Sequence, residues 1–189
     1  MIEHFWKTVP GFFTFPDFYE WVARNSGHVA WHGVEVGVYE GQSAAYLGVE
    51  LLNRAGSRPT RLDLIDLFSG QQSHVDRVRA ALAPVASVIG DIVMSDSVTA
   101  ASRYADKSLD FVFIDAEHAY PYVSRDIDAW LPKVRKGGII SGHDFTLEFP
   151  GVIQAVTERF SEWQVFRGVN WGGDERMQGK YYPCWAVTV

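Results

Sequence analysis

Cysteine is almost absent from this chain of 189 residues, which holds a single thiol, Cys184. One thiol excludes an intrachain disulfide and a cysteine-rich zinc site, fits a reducing compartment, and is expected to be packed within a strand. Basic residues are also scarce, because 17 lysines and arginines oppose 23 aspartates and glutamates and give a net charge of −6. Without a broad basic patch, neither a nucleic-acid backbone nor an anionic membrane is expected as the main partner.

Long hydrophobic runs are missing as well. No stretch approaches the roughly 20 apolar residues that span a bilayer, and residues 1–7 lack the basic and apolar regions of a signal peptide. We therefore expect a soluble, cytoplasmic protein. Hydrophobic residues make up 47% of the chain, which suffices for one substantial core and predicts a single domain. It would comprise an aromatic and helical extension over residues 1–29, a core over 30–160 and a C-terminal hairpin over 161–189.

Apolar runs alternate with helical patterns along most of the chain. Strands are predicted over residues 33–38, 61–66, 88–94, 109–114 and 138–142. Helices are predicted over 42–54, 72–83, 97–104, 121–131 and 151–160, after a first helix that begins near Pro16 and ends by Gly27. Two more strands, 163–166 and 184–189, are expected to pair as an antiparallel hairpin at the sheet edge. The pattern predicts an α/β fold with a seven-stranded, mostly parallel, Rossmann-like sheet and helices on both faces.

Four acidic residues recur where strand-like runs give way to loops: Glu35, Asp66, Asp96 and Asp115. Ligands of open α/β sheets bind at the carboxyl ends of the strands, so these side chains are expected to converge on one crevice. A row of negative charge there suits a cationic or polyhydroxyl ligand.

A glycine turn joins the first predicted strand to the next helix. Gly37 and Gly41 are four residues apart, so the three-glycine dinucleotide fingerprint is missing, and Glu35 and Glu40 disfavour a pyrophosphate. Asp66, at the end of the following strand, can accept both hydroxyl protons of a ribose. These residues favour a nucleoside ligand that carries no phosphate.

Together these motifs resemble the class I S-adenosylmethionine-dependent methyltransferases. The resemblance covers about residues 30–160 and rests on Glu35-x-Gly37-x-x-x-Gly41-x-Ser43, Asp66, Ser95-Asp96-Ser97 and the segment from Phe113 to Tyr120. With Leu131 to Gly138 and Gly142-His143-Asp144-Phe145, the chain is similar to the small-molecule subgroup that includes macrocin-type sugar O-methyltransferases.

The resemblance implies S-adenosylmethionine as cofactor, bound by residues Glu35, Gly37, Gly41, Ser43, Asp66, Asp96, Ser97 and Asp115. The donor's amino-acid part would lie on the glycine loop, its ribose on Asp66 and its adenine near Asp96 and Ser97. Asp91 is an alternative for the adenine, but Ser97 offers a helix start directly after Asp96. The donor carries a sulfonium and an ammonium and no phosphate, so an acidic crevice favours it.

At the reacting end, Asp115, His143 and Asp144 are expected to be neighbours and to offer ligands for Mg²⁺ or another divalent metal. Such an ion would lower the pKa of a coordinated hydroxyl. His143 stands where related metal-dependent enzymes commonly have an acid, so Asp115 and Asp144 are the preferred ligands. His118 is predicted to be the general base, since an imidazole accepts protons near neutral pH.

A small-molecule acceptor is expected against aromatic walls formed by Trp6, Phe12, Phe13, Phe15 and the segment from Asn170 through Tyr182. Core packing or the contact of a homo-oligomer explains the same aromatic residues equally well. Two other functions stay open at this point: a non-catalytic binding module with the same fold, and a nicotinamide-dependent oxidoreductase.

Overall fold

The hydrophobic runs form seven β-strands in the computed structural model, which describes residues 1–27, 29–168 and 181–189. The strands are β1 Trp31–Val36, β2 Thr60–Asp66, β3 Ile89–Met94, β4 Leu109–Ile114, β5 Val134–Gly142, β6 Gln164–Phe166 and β7 Cys184–Thr188. The helices are α1 Pro16–Arg24, α2 Gln42–Ala55, α3 Gln72–Ala81, α4 Ser97–Ala101, α5 Tyr120–Trp130 and α6 Pro150–Arg159. Short 3-10 turns lie at Trp6–Thr8, Phe68–Gly70, Ala83–Val85 and Leu131–Lys133.

All seven strands belong to one sheet with the order β3-β2-β1-β4-β5-β7-β6. Strands β1 to β5 are parallel, whereas β7 is antiparallel to both β5 and β6. The predicted fold class and the C-terminal hairpin are therefore confirmed. The strand order reverses between β1 and β4, and ligands of such sheets bind outside the carboxyl ends of the strands at this point.

The clearest boundary difference is in β5, which begins at Val134 and not at the predicted residue 138. Val134 pairs with Leu109, and the register then shifts before Ile139 pairs with Phe111. Gly137, inside this irregular part, has a φ of 75°. Glycine weakens a strand pattern in sequence, which explains why only the later half was predicted.

Two hydrophobic clusters cover the two faces of the sheet. Strand β4 contributes to both, with Phe111 and Phe113 on one face and Val112 and Ile114 on the other, as strand alternation requires. The first face packs against the N-terminal segment and helices α1 to α3, and the second packs against α4 to α6. The N-terminal segment is thus part of the core, while the division into extension, core and hairpin stays a prediction.

Among the described residues, no helix has both the length and the apolar character that crossing a membrane requires.

Candidate functional site

A cavity of about 840 Å³ lies at the carboxyl ends of the parallel strands. Its volume is within the usual range of small-molecule and cofactor sites. The predicted site residues that line it are Gly37, Ser43, Asp66, Asp96, Ser97, Asp115, His118, His143 and Asp144. Glu35 and Gly41 are not among the lining residues. The structure thus brings most of the predicted site to one place.

The glycine loop is shaped by contacts between strands. Gly37 has a φ of 88°, and a Cβ atom on it would overlap the backbone carbonyl oxygen of Asp115. The Asp115 amide in turn donates a 2.7 Å hydrogen bond to the Val36 carbonyl. Glycine is therefore needed to place the loop after β1 against the acid after β4. Gly41, also at a φ of 88°, begins helix α2 and packs near Val78 outside the cavity.

Asp66 holds the same loop from the other side. Its Oδ2 accepts hydrogen bonds from the amides of Val38 at 2.8 Å and Tyr39 at 2.9 Å, and its Oδ1 accepts one from Phe68 at 2.7 Å. Each carboxylate oxygen has two lone pairs, so Oδ1 keeps one acceptor position for a ligand. The assignment of the ribose hydroxyls to Asp66 stays a prediction, with three backbone amides already donating to this carboxylate.

Glu35 lies beneath the cavity floor, where it is completely buried. It accepts hydrogen bonds from the Tyr19 hydroxyl at 2.9 Å and the Ser43 hydroxyl at 2.5 Å. The sheet alternation turns it toward α1 and α2, so the structure offers no direct contact between Glu35 and a ligand. Ser43 lines the cavity in its place. Burial raises the pKa of Glu35 to about 7, although both hydroxyls oppose the shift.

This pKa predicts a pH-dependent stability difference between the native chain and Glu35→Gln. Between pH 4.5 and 7 the folded protein keeps a proton on Glu35 that the unfolded chain has lost, so its stability falls as the pH rises through that window. Glutamine carries no such proton. From pH 5 to pH 8 the variant should gain about 2 kcal/mol relative to the native chain. Urea denaturation at both pH values measures this, and identical pH profiles of the two proteins would show that folding does not shift the pKa of Glu35.

Two aspartates and two histidines form an acid–histidine cluster at the ends of β4 and β5: Asp115, His118, His143 and Asp144. His118 Nε2 lies 2.7 Å from Asp144 Oδ2 and 3.9 Å from Asp115 Oδ1. His143 Nδ1 lies 3.4 Å from Asp144 Oδ1 and 3.5 Å from Asp115 Oδ2. Asp144 adopts a left-handed φ of 58°, a strained conformation that is often found at functional sites.

The two carboxylates of this cluster shift the pKa values of both imidazoles. Asp115 and Asp144 raise the pKa of His118 to about 9. Burial would lower the pKa of His143, but the same two carboxylates outweigh it and raise that pKa to about 10. These shifts favour the protonated form of both imidazoles at neutral pH. This result removes the assumption that His118 has an ordinary pKa, on which its predicted role as a base depended.

This cluster contains a group that could hold a divalent metal. Asp115, His118 and Asp144 each offer one ligand atom, and these atoms lie within 4.8 Å of one another. The predicted ligand set with His143 stays a prediction; His143 is buried, also lines the cavity, and its Nε2 lies 3.5 Å from the Thr14 hydroxyl. Two carboxylate oxygens and one imidazole nitrogen suit Mn²⁺ or Zn²⁺, while Mg²⁺ would rely on the carboxylates.

At the opposite end of the cavity, the structure distinguishes Asp96 from Asp91. Asp96 lines the cavity and caps α4, because its Oδ1 accepts a 3.0 Å hydrogen bond from the Thr99 amide. Asp91 lies outside the lining and forms an ion pair with Arg61 at 2.9 Å. Sequence reasoning missed the lining residues of α5, which are Tyr122, Arg125 and Asp126. Their spacing of three and four residues marks one helix face and was the available signal.

Several of the predicted aromatic wall residues line the cavity, while their contact with an acceptor stays a prediction. Phe12, Phe13 and Phe15 line the cavity, and so does Tyr182. Trp6 does not, because it is buried in the core with its ring 5.2 Å from that of Phe13. Residues 170–180 of the predicted segment lie outside the described residues, and the exposed Tyr181 is not among the lining residues. Phe149, which was not predicted, lines the cavity beside His118 with a ring separation of 4.4 Å.

The class of the protein follows from a family comparison. The model of a methyltransferase domain family matches residues 34–145, which is more than half of the chain. The chain belongs to this methyltransferase family. The matched range contains the glycine loop, Asp66 and the complete acid–histidine cluster. The methyltransferase assignment confirms the predicted enzyme class and argues against a nicotinamide-dependent oxidoreductase. A search of curated proteins gave no match to this methyltransferase.

Solved structures share the fold of this methyltransferase. An S-adenosylmethionine-dependent O-methyltransferase from Thermotoga maritima is 16% identical, with a TM-score of 0.64 over 95% of this chain and 68% of that one. An O-methyltransferase from Bacillus cereus in complex with S-adenosylhomocysteine is 15% identical, with a TM-score of 0.63 over 97% of this chain and 86% of that one. An rRNA methylase from Streptococcus thermophilus is 9% identical, with a TM-score of 0.64 over 90% and 92%.

Proposed function

We propose that this methyltransferase transfers the methyl group of S-adenosylmethionine to a hydroxyl of a small-molecule acceptor, with a divalent ion at the acid–histidine cluster. One observation carries the proposal: a single cavity is lined both by the loop that Asp66 and Gly37 shape and by the cluster of ionisable side chains. The groups proposed for the donor and for the reaction therefore line one cavity, as group transfer requires.

The charge of the cavity suits the donor. Its lining includes the acidic residues Asp66, Asp96, Asp115, Glu117, Asp126 and Asp144. Among the described lining residues, Arg125 is the one lysine or arginine. A sulfonium and an ammonium are attracted by this field, whereas the two phosphates of a dinucleotide are repelled. Asp66 keeps one acceptor position for a ribose hydroxyl, and Ser43 presents a hydroxyl where the amino-acid part would lie.

At the reacting end, Asp115 and Asp144 would hold the ion together with His118 or His143. The bound ion would lower the pKa of the acceptor hydroxyl and fix its orientation. Its charge would also oppose protonation of the imidazoles, since a neighbouring cation disfavours a second one. If His143 is the imidazole ligand, His118 stays outside the coordination and would then be neutral, and its unprotonated ring nitrogen could take the hydroxyl proton as methyl transfer proceeds.

The walls around the cluster favour a ring-bearing acceptor, such as a sugar or a phenol. The ring of Phe15 lies 4.5 Å from that of His143, and Phe149 covers His118. Apolar faces of this kind exclude water from the reacting groups and pack against the faces of ring compounds. This supports the small-molecule O-methyltransferase subgroup that the sequence resembles.

The test uses S-adenosylmethionine with a labelled methyl group, a panel of sugars and phenols, and parallel reactions with Mg²⁺, Mn²⁺ or a chelator. Labelled product should form with metal and fall sharply with chelator. His118→Ala should lower turnover about 100-fold while S-adenosylhomocysteine affinity, measured by calorimetry, changes less than about 3-fold.

A structural RNA serves as a further acceptor in the same panel and should stay unlabelled, because the cavity lining is mainly acidic. Binding of the donor without transfer to any acceptor under every metal condition would favour a non-catalytic binding module. Unchanged turnover of His118→Ala would remove this residue from the mechanism.

A further inference from the structure

The buried carboxylate of Asp126 lies at the end of the cavity that is far from the acid–histidine cluster. It is only 6% exposed, yet it lines the cavity with Tyr122 and Arg125 of α5. The loop after β3, residues 95–98, lines the same end. An acid this buried is unusual unless a specific partner is present, because desolvation penalises its charged form.

The Ser97 hydroxyl lies between the Trp130 indole and this carboxylate. The Trp130 indole Nε1 donates to the Ser97 hydroxyl at 2.9 Å. An indole nitrogen can only donate, so the hydroxyl proton of Ser97 is free for another acceptor. Burial raises the pKa of Asp126, and the Ser97 hydroxyl opposes the shift, which places that hydroxyl beside the carboxylate. Asp126 lines the cavity and keeps acceptor positions for a ligand.

Asp96, the acid that the sequence assigns to the adenine, is less suited to read a base. Its side chain is exposed, and its Oδ1 caps α4 through the Thr99 amide. An exposed carboxylate discriminates weakly between nucleobases, because water replaces any hydrogen bond that a base does not make. Asp126 is buried and oriented, so a ligand group that fails to donate to it would leave it unsatisfied.

We propose that Asp126 is the specificity-determining residue for the nucleobase of the donor, and that it accepts a hydrogen bond from the exocyclic amino group of adenine. This inference rests on the proposed function, since it places the adenine at the α5 end of the cavity. Ser97 acts as a positioning residue, because it holds the Asp126 carboxylate through a hydroxyl that Trp130 orients.

The test compares two ligands that differ at the C6 edge of the base. S-inosylhomocysteine replaces the amino group of S-adenosylhomocysteine with a carbonyl oxygen and carries a hydrogen on N1, so at C6 it presents an acceptor that repels a carboxylate where adenine presents a donor. Calorimetry with the native protein should show at least about 30-fold weaker binding of the inosine compound. In Asp126→Asn the amide can donate to that carbonyl, so the two affinities should fall within about 3-fold of each other.

Asp128→Asn is the matched control, because Asp128 lies on the same helix, is exposed and pairs with Arg159. It should keep the full discrimination. Equal affinities of the two ligands for the native protein would overturn the inference, and this measurement needs no variant. Undiminished discrimination in Asp126→Asn would overturn it as well. Failure of the native protein to bind S-adenosylhomocysteine at all would instead reject the proposed function.

Discussion

Asp66→Ala is expected to weaken S-adenosylhomocysteine binding at least about 1,000-fold. Asp66 has two tasks: it accepts the amides of Val38, Tyr39 and Phe68, and it offers its remaining acceptor position to the cavity. Alanine would leave three backbone donors without their partner, at a cost of about 1–3 kcal/mol for each donor that stays dry. The glycine loop would lose its shape at the same time as the ligand loses a hydrogen bond. Calorimetry measures the affinity, and urea denaturation measures the accompanying loss of stability.

Asp91→Ala provides the control for this experiment. Asp91 lies on the neighbouring strand β3, is exposed, and pairs with Arg61 outside the cavity. Its removal should change the affinity for S-adenosylhomocysteine by less than about 2-fold, as expected for an exposed ion pair. If Asp66→Ala folds and binds the ligand as tightly as Asp91→Ala does, Asp66 is not part of the donor site.

Asp144→Asn is expected to lower turnover at least about 1,000-fold while donor affinity changes less than about 3-fold. Asp144 contacts His118 at 2.7 Å and His143 at 3.4 Å, so its carboxylate joins both imidazoles and supplies a ligand atom to the metal group. Asparagine tolerates the left-handed φ of 58° as well as aspartate does, so the backbone should be preserved. The loss of turnover would then result from removing the negative charge of Asp144. This charge acts on the reacting groups and not on the donor site.

Labelled-methyl transfer measures this effect in the presence of the metal that supports the native activity. Asp106→Asn is the control, because Asp106 forms a 2.6 Å ion pair with Lys133 on the protein surface and should leave turnover unchanged. A parallel loss of donor affinity in Asp144→Asn would mean that Asp144 belongs to the donor site. Full activity would mean that the cluster has no part in the reaction.

The strand ends of the site were predictable because each follows a strongly apolar run. Phe111–Ile114 and the residues before Asp66 alternate between the two faces of the sheet, so the carboxyl ends of β2 and β4 could be located in the sequence. Parallel strands bring those ends to one edge, which explains why Asp66, Asp115 and Asp144 converge as predicted. The first half of β5 was missed because glycines interrupt its pattern.

What the sequence could not predict depends on contacts between distant residues. Glu35 is buried against Tyr19, which lies 16 residues earlier, and Asp126 lies beside Ser97 on another helix. A carboxylate on a helix ordinarily indicates a solvated face, so the spacing of four residues from Tyr122 was the one sequence signal for Asp126. Which of His118 and His143 joins the two carboxylates depends on loop geometry, since both follow a strand end. Local periodicity does not predict which distant residues these side chains contact.

The most direct test of the account is calorimetric titration of the purified protein with S-adenosylmethionine, S-adenosylhomocysteine and NAD. We expect one site for the donor and its product, with dissociation constants in the micromolar range that correspond to about −8 kcal/mol. NAD should give no heat of binding at millimolar concentration, because its phosphates meet an acidic cavity. Tight binding of NAD, or no binding of either the donor or its product at millimolar concentration, would contradict the account.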